Sequence, residues 1–297
     1  MACEGLPFRF ADGFKLHSMA YFVELQFAAK TDTGLLRPHN EDSVEISNEY
    51  GLAILADGMG GYNAGEVASG IAVAIIKEAL ELQLHQFKWS DYGSTSKPLQ
   101  QIVANSIERA NNTILDVART DLQYSGMGTT VVAAVFHHDK LVVGHVGDSR
   151  LYRFREGVLE PLTKDHSLLQ EQIDAGMIDA EQARFSPQRN LITRAVGIDP
   201  SLAVEVHEHE TKRDDIYLLC SDGLSDMLSS KEIFEILRQA GMNLDAAANV
   251  FIDQANHNGG RDNISAILVR VKTSKPEIRK LRRWWNLLGK AFEVQHG

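Results

Sequence analysis

The chain has 297 residues, of which 44% are hydrophobic and 24% charged, and its formal net charge is −10. This composition supports a globular protein with a sizeable core, and the acidic balance argues against nucleic-acid binding through electrostatics. Two distant cysteines give no disulfide framework, which favours a reducing compartment. No apolar run approaches the roughly 20 residues of a membrane span, and the first residues lack a signal-peptide layout. We therefore expect a soluble, cytoplasmic protein.

Hydrophobic periodicity divides the chain into strands and helices without any long Pro-, Gly- or Ser-rich linker, which favours one large domain. Residues 1–20 show no clear period and are treated as a poorly specified N-terminal arm. The predicted elements are strands at 21–30, 43–47 and 51–56, helices at 63–82 and 98–117, strands at 131–136, 141–146, 151–154 and 158–162, a polar helix-prone excursion at 168–190, strands at 203–208 and 216–220, helices at 232–239 and 244–257, and a strand at 264–271.

The order of these elements mixes antiparallel strands with helices grouped in pairs. It predicts an α+β fold in which helices cover the faces of the sheets. The four strands between 131 and 162 are separated by short turns, a pattern typical of a single antiparallel meander.

Acidic residues recur where apolar runs start or end. They are Asp57, Asp148, Asp222 and Asp262. A single Asp-Gly pair is an ordinary turn former, but four such corners in one chain suggest a shared purpose. The polar segment Arg37-Pro-His-Asn-Glu-Asp42 adds an arginine and two adjacent acids, which is a way to hold a phosphate and a metal together.

Convergence of these acids would require cations among them, because crowded carboxylates repel one another or take up protons. The candidate set is Glu41, Asp42, Asp57, Asp148, Asp222, Asp226 and Asp262. All-oxygen ligands, without Cys or His at zinc spacing, favour Mg²⁺ or Mn²⁺. Two such ions sharing a carboxylate lower the pKa of a bridging water and position it for in-line attack on phosphorus.

Residues 21–273 resemble the metal-dependent protein phosphatase family of the protein phosphatase 2C type, in particular its bacterial serine/threonine branch. The resemblance is carried by eight short segments in order: Arg37-Pro-His-Asn-Glu-Asp42, Ala56-Asp-Gly-Met-Gly-Gly61, Gly128-Thr-Thr130, His145-Val-Gly-Asp-Ser-Arg150, Leu162-Thr-Lys-Asp-His-Ser167, Ile192-Thr-Arg-Ala-Val-Gly197, Cys220-Ser-Asp-Gly-Leu224 and Gly260-Arg-Asp-Asn263. It implies two packed antiparallel β-sheets flanked by pairs of α-helices, with a dinuclear metal centre at one end of the sandwich.

The resemblance also implies roles for residues. Asp57 bridges the two metals and the Gly58 carbonyl contacts one of them, Asp222 and Asp262 hold the other, and Glu41 and Asp42 support the site through waters. Arg37 binds the substrate phosphate. Asp148 and Asp226, with Asp222, match the positions of a weaker third metal, and residues 168–190 match a mobile flap.

One departure from the animal members of that family is Met59, which stands where they carry a histidine that can protonate the leaving group. Methionine cannot donate a proton. A metal-bound water or, less readily, His39 is the alternative donor.

Residues 274–297 predict a basic amphipathic C-terminal helix, with six Lys/Arg against two Glu and an apolar stripe that includes Trp285. Such a helix either docks on the catalytic domain or binds an anionic membrane surface or an acidic protein. The second case would place the protein peripherally at the inner membrane face.

The sequence therefore predicts a Mg²⁺- or Mn²⁺-dependent phosphatase that acts on phosphorylated Ser/Thr proteins and opposes a bacterial Ser/Thr kinase. An alternative is a catalytically silent phosphoprotein-binding module of the same fold, which loss of core aspartates would support; none is lost. A two-metal nuclease is a third hypothesis, disfavoured by the acidic composition.

Overall fold

A computed structural model of the chain describes residues 24–61, 64–86, 97–179, 191–240 and 243–273. The predicted arm 1–20, the predicted helix 274–297 and the second part of the predicted flap lie outside these residues. The strands are β1 (Glu24–Asp32), β2 (Asp42–Ser47), β3 (Leu52–Met59), β4 (Gly128–Thr129), β5 (Val131–His137), β6 (Lys140–Val146), β7 (Arg150–Arg155), β8 (Val158–Pro161), β9 (Glu205–Glu210), β10 (Ile216–Cys220) and β11 (Ile264–Thr273).

The helices are α1 (Ala64–Gln86), α2 (Lys97–Thr120), α3 (Leu168–Asp174), α4 (Asp222–Ser225), α5 (Ser230–Gln239) and α6 (Leu244–His257). Among them, none in the described ranges combines the length and hydropathy of a bilayer-crossing helix. The sequence predicts the bounds of β10 and α6 to the residue, whereas the single turn of α4 is too short to leave a period.

Two antiparallel sheets form the centre of the fold. The five-stranded sheet has the order β1-β11-β10-β7-β8, and the six-stranded sheet has the order β2-β3-β5-β6-β9 with β4 paired to β3. Together with the flanking helices they confirm the predicted α+β class.

Strand β5 shows why the central strands are almost continuously apolar. Its residues Val131, Ala133 and Val135 belong to the core under helices α1 and α2, whereas Val132, Ala134 and Phe136 belong to the core between the two sheets. A strand covered on both faces has no polar side to alternate with. On the opposite side, α5 and α6 cover the five-stranded sheet, so the predicted pairing of helices is confirmed.

The prediction of one meander between 131 and 162 is wrong. Strands β5 and β6 form a hairpin in the six-stranded sheet, and β7 and β8 form a hairpin in the five-stranded sheet. The chain changes sheets at Gly147, whose φ is +103° and where an added Cβ would lie 2.6 Å from a Thr130 methyl carbon. Strand periodicity reports which faces are buried, but not which sheet a strand joins.

Candidate active site

A cleft with a volume of about 550 Å³ gathers most of the acidic corners at one end of the sandwich. Its lining includes Arg37, Glu41, Asp57, Gly58, Asp222 and Asp262. Met59 and His39 also line it. The structure therefore brings together side chains that lie up to 225 positions apart in the sequence.

The main chain around Asp57 is fixed by a strand neighbour. The Asp57 N–H donates to Thr130 Oγ1 at 3.1 Å, and the Asp57 carbonyl accepts from the Thr130 N–H and from Thr129 Oγ1, both at 2.9 Å. Asp57 lies directly opposite Asp42 in the β2/β3 ladder. The strand pair thus presents two carboxylates side by side at the cleft end of the six-stranded sheet.

Gly58 is required by close packing. Its N–H donates to the Glu41 carbonyl at 3.1 Å. A Cβ at this position would lie 2.2 Å from the Gly65 carbonyl oxygen and 2.6 Å from the Glu41 carbonyl oxygen. The first turn of α1 and the segment before β2 therefore meet at a residue that has no side chain.

The five-stranded sheet supplies the other two corners. Asp222 begins α4 just beyond β10, and Asp262 lies just before β11; because these strands pair with each other, their ends are neighbours. Ser221 joins the two sheets, since its hydroxyl donates to Asp42 Oδ2 at 2.9 Å.

Asn263 organises the loop that carries Arg37 and Glu41. Its side-chain amide donates to the carbonyls of Thr33 and His39 at 2.9 and 3.0 Å, and its Oδ1 accepts from the Glu41 N–H at 2.8 Å. Neither Asn263 nor Thr130 has a role predicted from the sequence, although both fall inside the quoted motif segments. Their positions in those motifs were the available signal.

Arg37 bonds an acid of the cleft. Its guanidinium donates to Asp262 Oδ2 at 2.6 Å, and this hydrogen bond raises the pKa of Arg37. More than half of the Arg37 side chain is exposed, so the guanidinium group is accessible from solvent. Nearby, the ring of His39 bonds Glu41 Oε1 at 3.0 Å.

Three buried carboxyl groups in and behind the cleft have raised pKa values. Burial, followed by the charges of neighbouring carboxylates, raises the pKa values of Asp57 and Asp222 well above their ordinary value. Burial also raises the pKa of Asp42 to about 6. These shifts are the behaviour expected of a carboxylate cluster without a compensating cation.

Asp148 and Asp226 are not part of the cleft lining but adjoin Asp222. Asp148 is buried at the crossing between β6 and β7, and Asp226 is exposed at the end of α4. The charges of both raise the pKa of Asp222, and burial raises the pKa of Asp148 to about 6. Of the nine predicted site residues, six line the cleft. Asp42 is buried behind them, and Asp148 and Asp226 form a separate pair next to Asp222.

The residues present fit hard divalent cations. Asp42 Oδ1 and Asp148 Oδ1 are buried and make no hydrogen bond within the described part of the chain, which leaves acceptor oxygens that a cation can satisfy. The donors are oxygens, the ligands that Mg²⁺ and Mn²⁺ prefer.

A second cluster of possible metal ligands lies elsewhere, in His145, His166 and Glu205, with ligand atoms within 4.8 Å of one another. No role for this cluster was predicted from the sequence. Its members come from β6, the segment after β8, and β9. His145 and His166 fall inside quoted motif segments, but the hydrophobic pattern does not show that these positions meet at Glu205.

Comparisons with known proteins agree with this geometry. Residues 38–258 match the family model described as protein phosphatase 2C. The chain is 37% identical over 245 residues to the serine/threonine phosphatase stp of Listeria monocytogenes, covering 81% of this chain and 93% of the relative.

Solved structures give the same result. A crystal structure of the Mycobacterium tuberculosis serine/threonine phosphatase PstP/Ppp is 35% identical, with a TM-score of 0.75 over 84% of this chain and 99% of that one. The catalytic domain of PstP in complex with two manganese ions is 34% identical, with a TM-score of 0.72 over 84% of this chain and 98% of that one.

Proposed function

The chain belongs to the protein phosphatase 2C family, and from this premise we propose that it is a metal-dependent phosphatase that hydrolyses phosphoserine and phosphothreonine in proteins. The observation that supports this proposal most strongly is the meeting of Asp57, Asp222, Asp262 and Arg37 in one cleft. We take residues 21–273 as the catalytic domain.

Mg²⁺ or Mn²⁺ is the cofactor in this proposal. Two ions would be held by Asp57, the Gly58 carbonyl, Asp222 and Asp262, with Glu41 and Asp42 in a supporting role. The relative solved with two manganese ions supports this assignment. When bound, the ions supply a water of lowered pKa as the nucleophile.

Arg37 binds the substrate phosphate. Its planar fork can hold two phosphate oxygens, and its charge offsets the charge that develops in the transition state. The Asp262 carboxylate holds the guanidinium at the cleft, which limits the orientations it must lose on binding substrate.

Proton delivery to the leaving group does not involve Met59, which lines the cleft without a transferable proton. Within this proposal, the bound ions would supply the proton from water. His39 is engaged with Glu41 and is the second candidate.

Asp148 and Asp226, together with Asp222, would hold a weaker third ion. Two observations support a third metal site shared by these three residues. The charges of Asp148 and Asp226 raise the pKa of Asp222, and Asp148 Oδ1 has no hydrogen-bond partner within the described residues.

Residues 168–190 would act as a flap that controls access of substrate to the cleft.

Catalysis, and not silent binding, is favoured because the aspartates and Arg37 are all present. Action on nucleic acid is disfavoured by the net charge of −10, which repels a phosphodiester backbone. The partners are phosphorylated proteins, including a Ser/Thr kinase that this enzyme opposes. The location is the cytoplasm, with residues 274–297 as a contact to the inner membrane face or to a protein.

Hydrolysis of a phosphothreonine peptide with Mn²⁺, with and without chelator, tests the proposal. Asp57→Asn keeps the side-chain shape and removes the bridging charge, so we expect activity to fall by at least a hundredfold, on the order of the loss of a core catalytic group. Asp116→Asn, in an exposed ion pair on α2, is the matched control and retains activity. Equal, chelator-insensitive rates for all three proteins would refute the proposal.

A further inference from the structure

The cluster of His145, His166 and Glu205 has a defined geometry. His145 on β6 lies directly opposite Glu205 on β9. The His166 ring stacks on the His145 ring, with centroids 4.8 Å apart and planes 17° apart. His145 is 0% exposed and His166 5% exposed, so the protons on their rings are set by internal partners.

The hydrogen bonds fix the tautomer of His166. The main-chain N–H of Gly147 points at His166 Nδ1 at 3.1 Å, so Nδ1 is the acceptor and carries no proton. The ring proton is then on Nε2 and is donated to Glu205 Oε2 at 3.1 Å. A carboxylate that holds the far nitrogen of a histidine in this way fixes the orientation of the ring.

This tautomer argues against a metal site in the cluster. A metal ligated by His166 Nε2 would move the proton to Nδ1, where it would face the Gly147 N–H donor. His145 differs, because its Nε2 donates to the Lys164 carbonyl at 3.0 Å and its buried Nδ1 accepts no hydrogen bond within the described residues. With both ring nitrogens of His166 engaged, however, His145 and Glu205 alone would have to hold the ion. The cluster is therefore better explained by its hydrogen bonds to the main chain than as a metal site.

His166 fixes the main chain of the turn that comes directly before Asp148. His166 bonds both polar main-chain groups of Gly147: Nδ1 accepts from the N–H, and the His166 N–H donates to the Gly147 carbonyl at 2.9 Å. Gly147 has the positive φ at which the chain crosses between sheets. Since Asp148 Oδ1 makes no hydrogen bond within the described residues, the location of that oxygen follows from the main chain of this turn.

We propose that His166, whose ring proton Glu205 keeps on Nε2, is a positioning residue that holds the Gly147 turn so that the Asp148 carboxylate faces Asp222 and Asp226. Its effect is on binding of the weaker third ion, and the inference rests on the proposed function for the identity of that ion. His166 touches neither substrate nor the core carboxylates in this arrangement. Its effect on the reaction passes through Asp148 alone.

Two substitutions of His166 separate its two contacts. In His166→Asn the amide oxygen can take the place of Nδ1 and accept from Gly147, whereas the contact to Glu205 is lost. In His166→Gln the amide reaches the place of Nε2 and keeps the contact to Glu205, whereas the acceptor for Gly147 is lost. His207→Ala is the matched control, because His207 Nε2 bonds Glu205 Oε1 at 2.6 Å and makes no hydrogen bond to Gly147.

The readout is calorimetric titration with Mn²⁺, accompanied by phosphopeptide hydrolysis as a function of Mn²⁺. We expect the weaker binding phase of His166→Gln to lose about 10- to 100-fold in affinity, the usual cost of removing a group that orients a metal ligand. His166→Asn and His207→Ala bind as wild type. The tight phase is the same in all four proteins, and thermal melting shows that each is folded.

Equal weak-phase affinity in His166→Gln and wild type would overturn the inference, as would a loss in His166→Asn that His166→Gln does not share. Failure of the proposed function is distinguishable: wild type would then take up Mn²⁺ without hydrolysing the phosphopeptide, and the comparison of the variants by calorimetry would still decide the role of His166.

Discussion

Replacing Asp42 by asparagine should stabilise the metal-free protein while weakening its metal centre. Asp42 is 8% exposed and lies opposite Asp57 in the ladder. Burial raises its pKa from 3.8 to about 6. One pKa unit corresponds to about 1.4 kcal/mol, so ionised Asp42 lowers the free energy of unfolding by about 3 kcal/mol at neutral pH.

Asparagine removes this charge and keeps an oxygen for the Ser221 hydroxyl, which donates to Asp42 Oδ2 in the wild type. In chelator at neutral pH we therefore expect Asp42→Asn to gain about 3 kcal/mol of unfolding free energy, or roughly 6–12 °C in Tm for a domain of this size. With Mn²⁺ the gain shrinks or reverses, because metal binding stabilises the wild type more strongly.

The raised pKa of Asp42 also predicts how the free energy of unfolding changes with pH. The folded-state pKa lies above the unfolded value, so the carboxylate destabilises the fold increasingly as pH rises from 3.8 to about 6, and fully above that. Urea unfolding in chelator on both sides of this window measures the difference between variant and wild type. Asp116→Asn, exposed on α2, should show no such difference. A variant that is less stable at neutral pH, or whose gain persists unchanged in acid, would refute the reasoning.

Three further predictions follow from the cleft and the tail. Gly58→Ala places a Cβ 2.2 Å from a carbonyl oxygen and should lower both Tm and activity, whereas Gly61→Ala, which meets no atom within 4 Å, should change neither; melting curves and rates compare them. Arg37→Lys should lower kcat/KM for a phosphothreonine peptide about 10- to 100-fold because the bidentate fork is lost, with unchanged Tm since the side chain is largely exposed. Neutralising the basic residues of 274–297 should abolish co-sedimentation with anionic vesicles, and equal, negligible pelleting of wild type and variant would exclude a membrane contact.

The acids that meet in the cleft could be identified from sequence because each ends or begins an apolar run, and the ends of neighbouring strands lie close together. The same periodicity could not show that the chain leaves one sheet for the other at Gly147, since the apolar residues of β6 and β7 report burial but not the sheet that each strand joins. The positive φ of Gly147 and its contact with the Thr130 methyl group become visible only in the folded structure.

Supporting residues were less predictable still. Asn263 acts through two carbonyls and one N–H of a loop more than 200 positions away. His166 acts through the main chain of Gly147. The motif segments mark both residues as candidates, but the bonds themselves depend on the folded path of the backbone and leave no periodic pattern in the chain.

The acidic centre lies across the seam between the two sheets, with Asp42 and Asp57 on one side and Asp222 and Asp262 on the other. Ions bound there would therefore crosslink the two sheets in addition to taking part in the reaction. A cell short of manganese would then lose the activity of this enzyme and also the stability that the ions add to its fold, and the loosened fold would be degraded faster. The abundance of the protein would follow the supply of its metal.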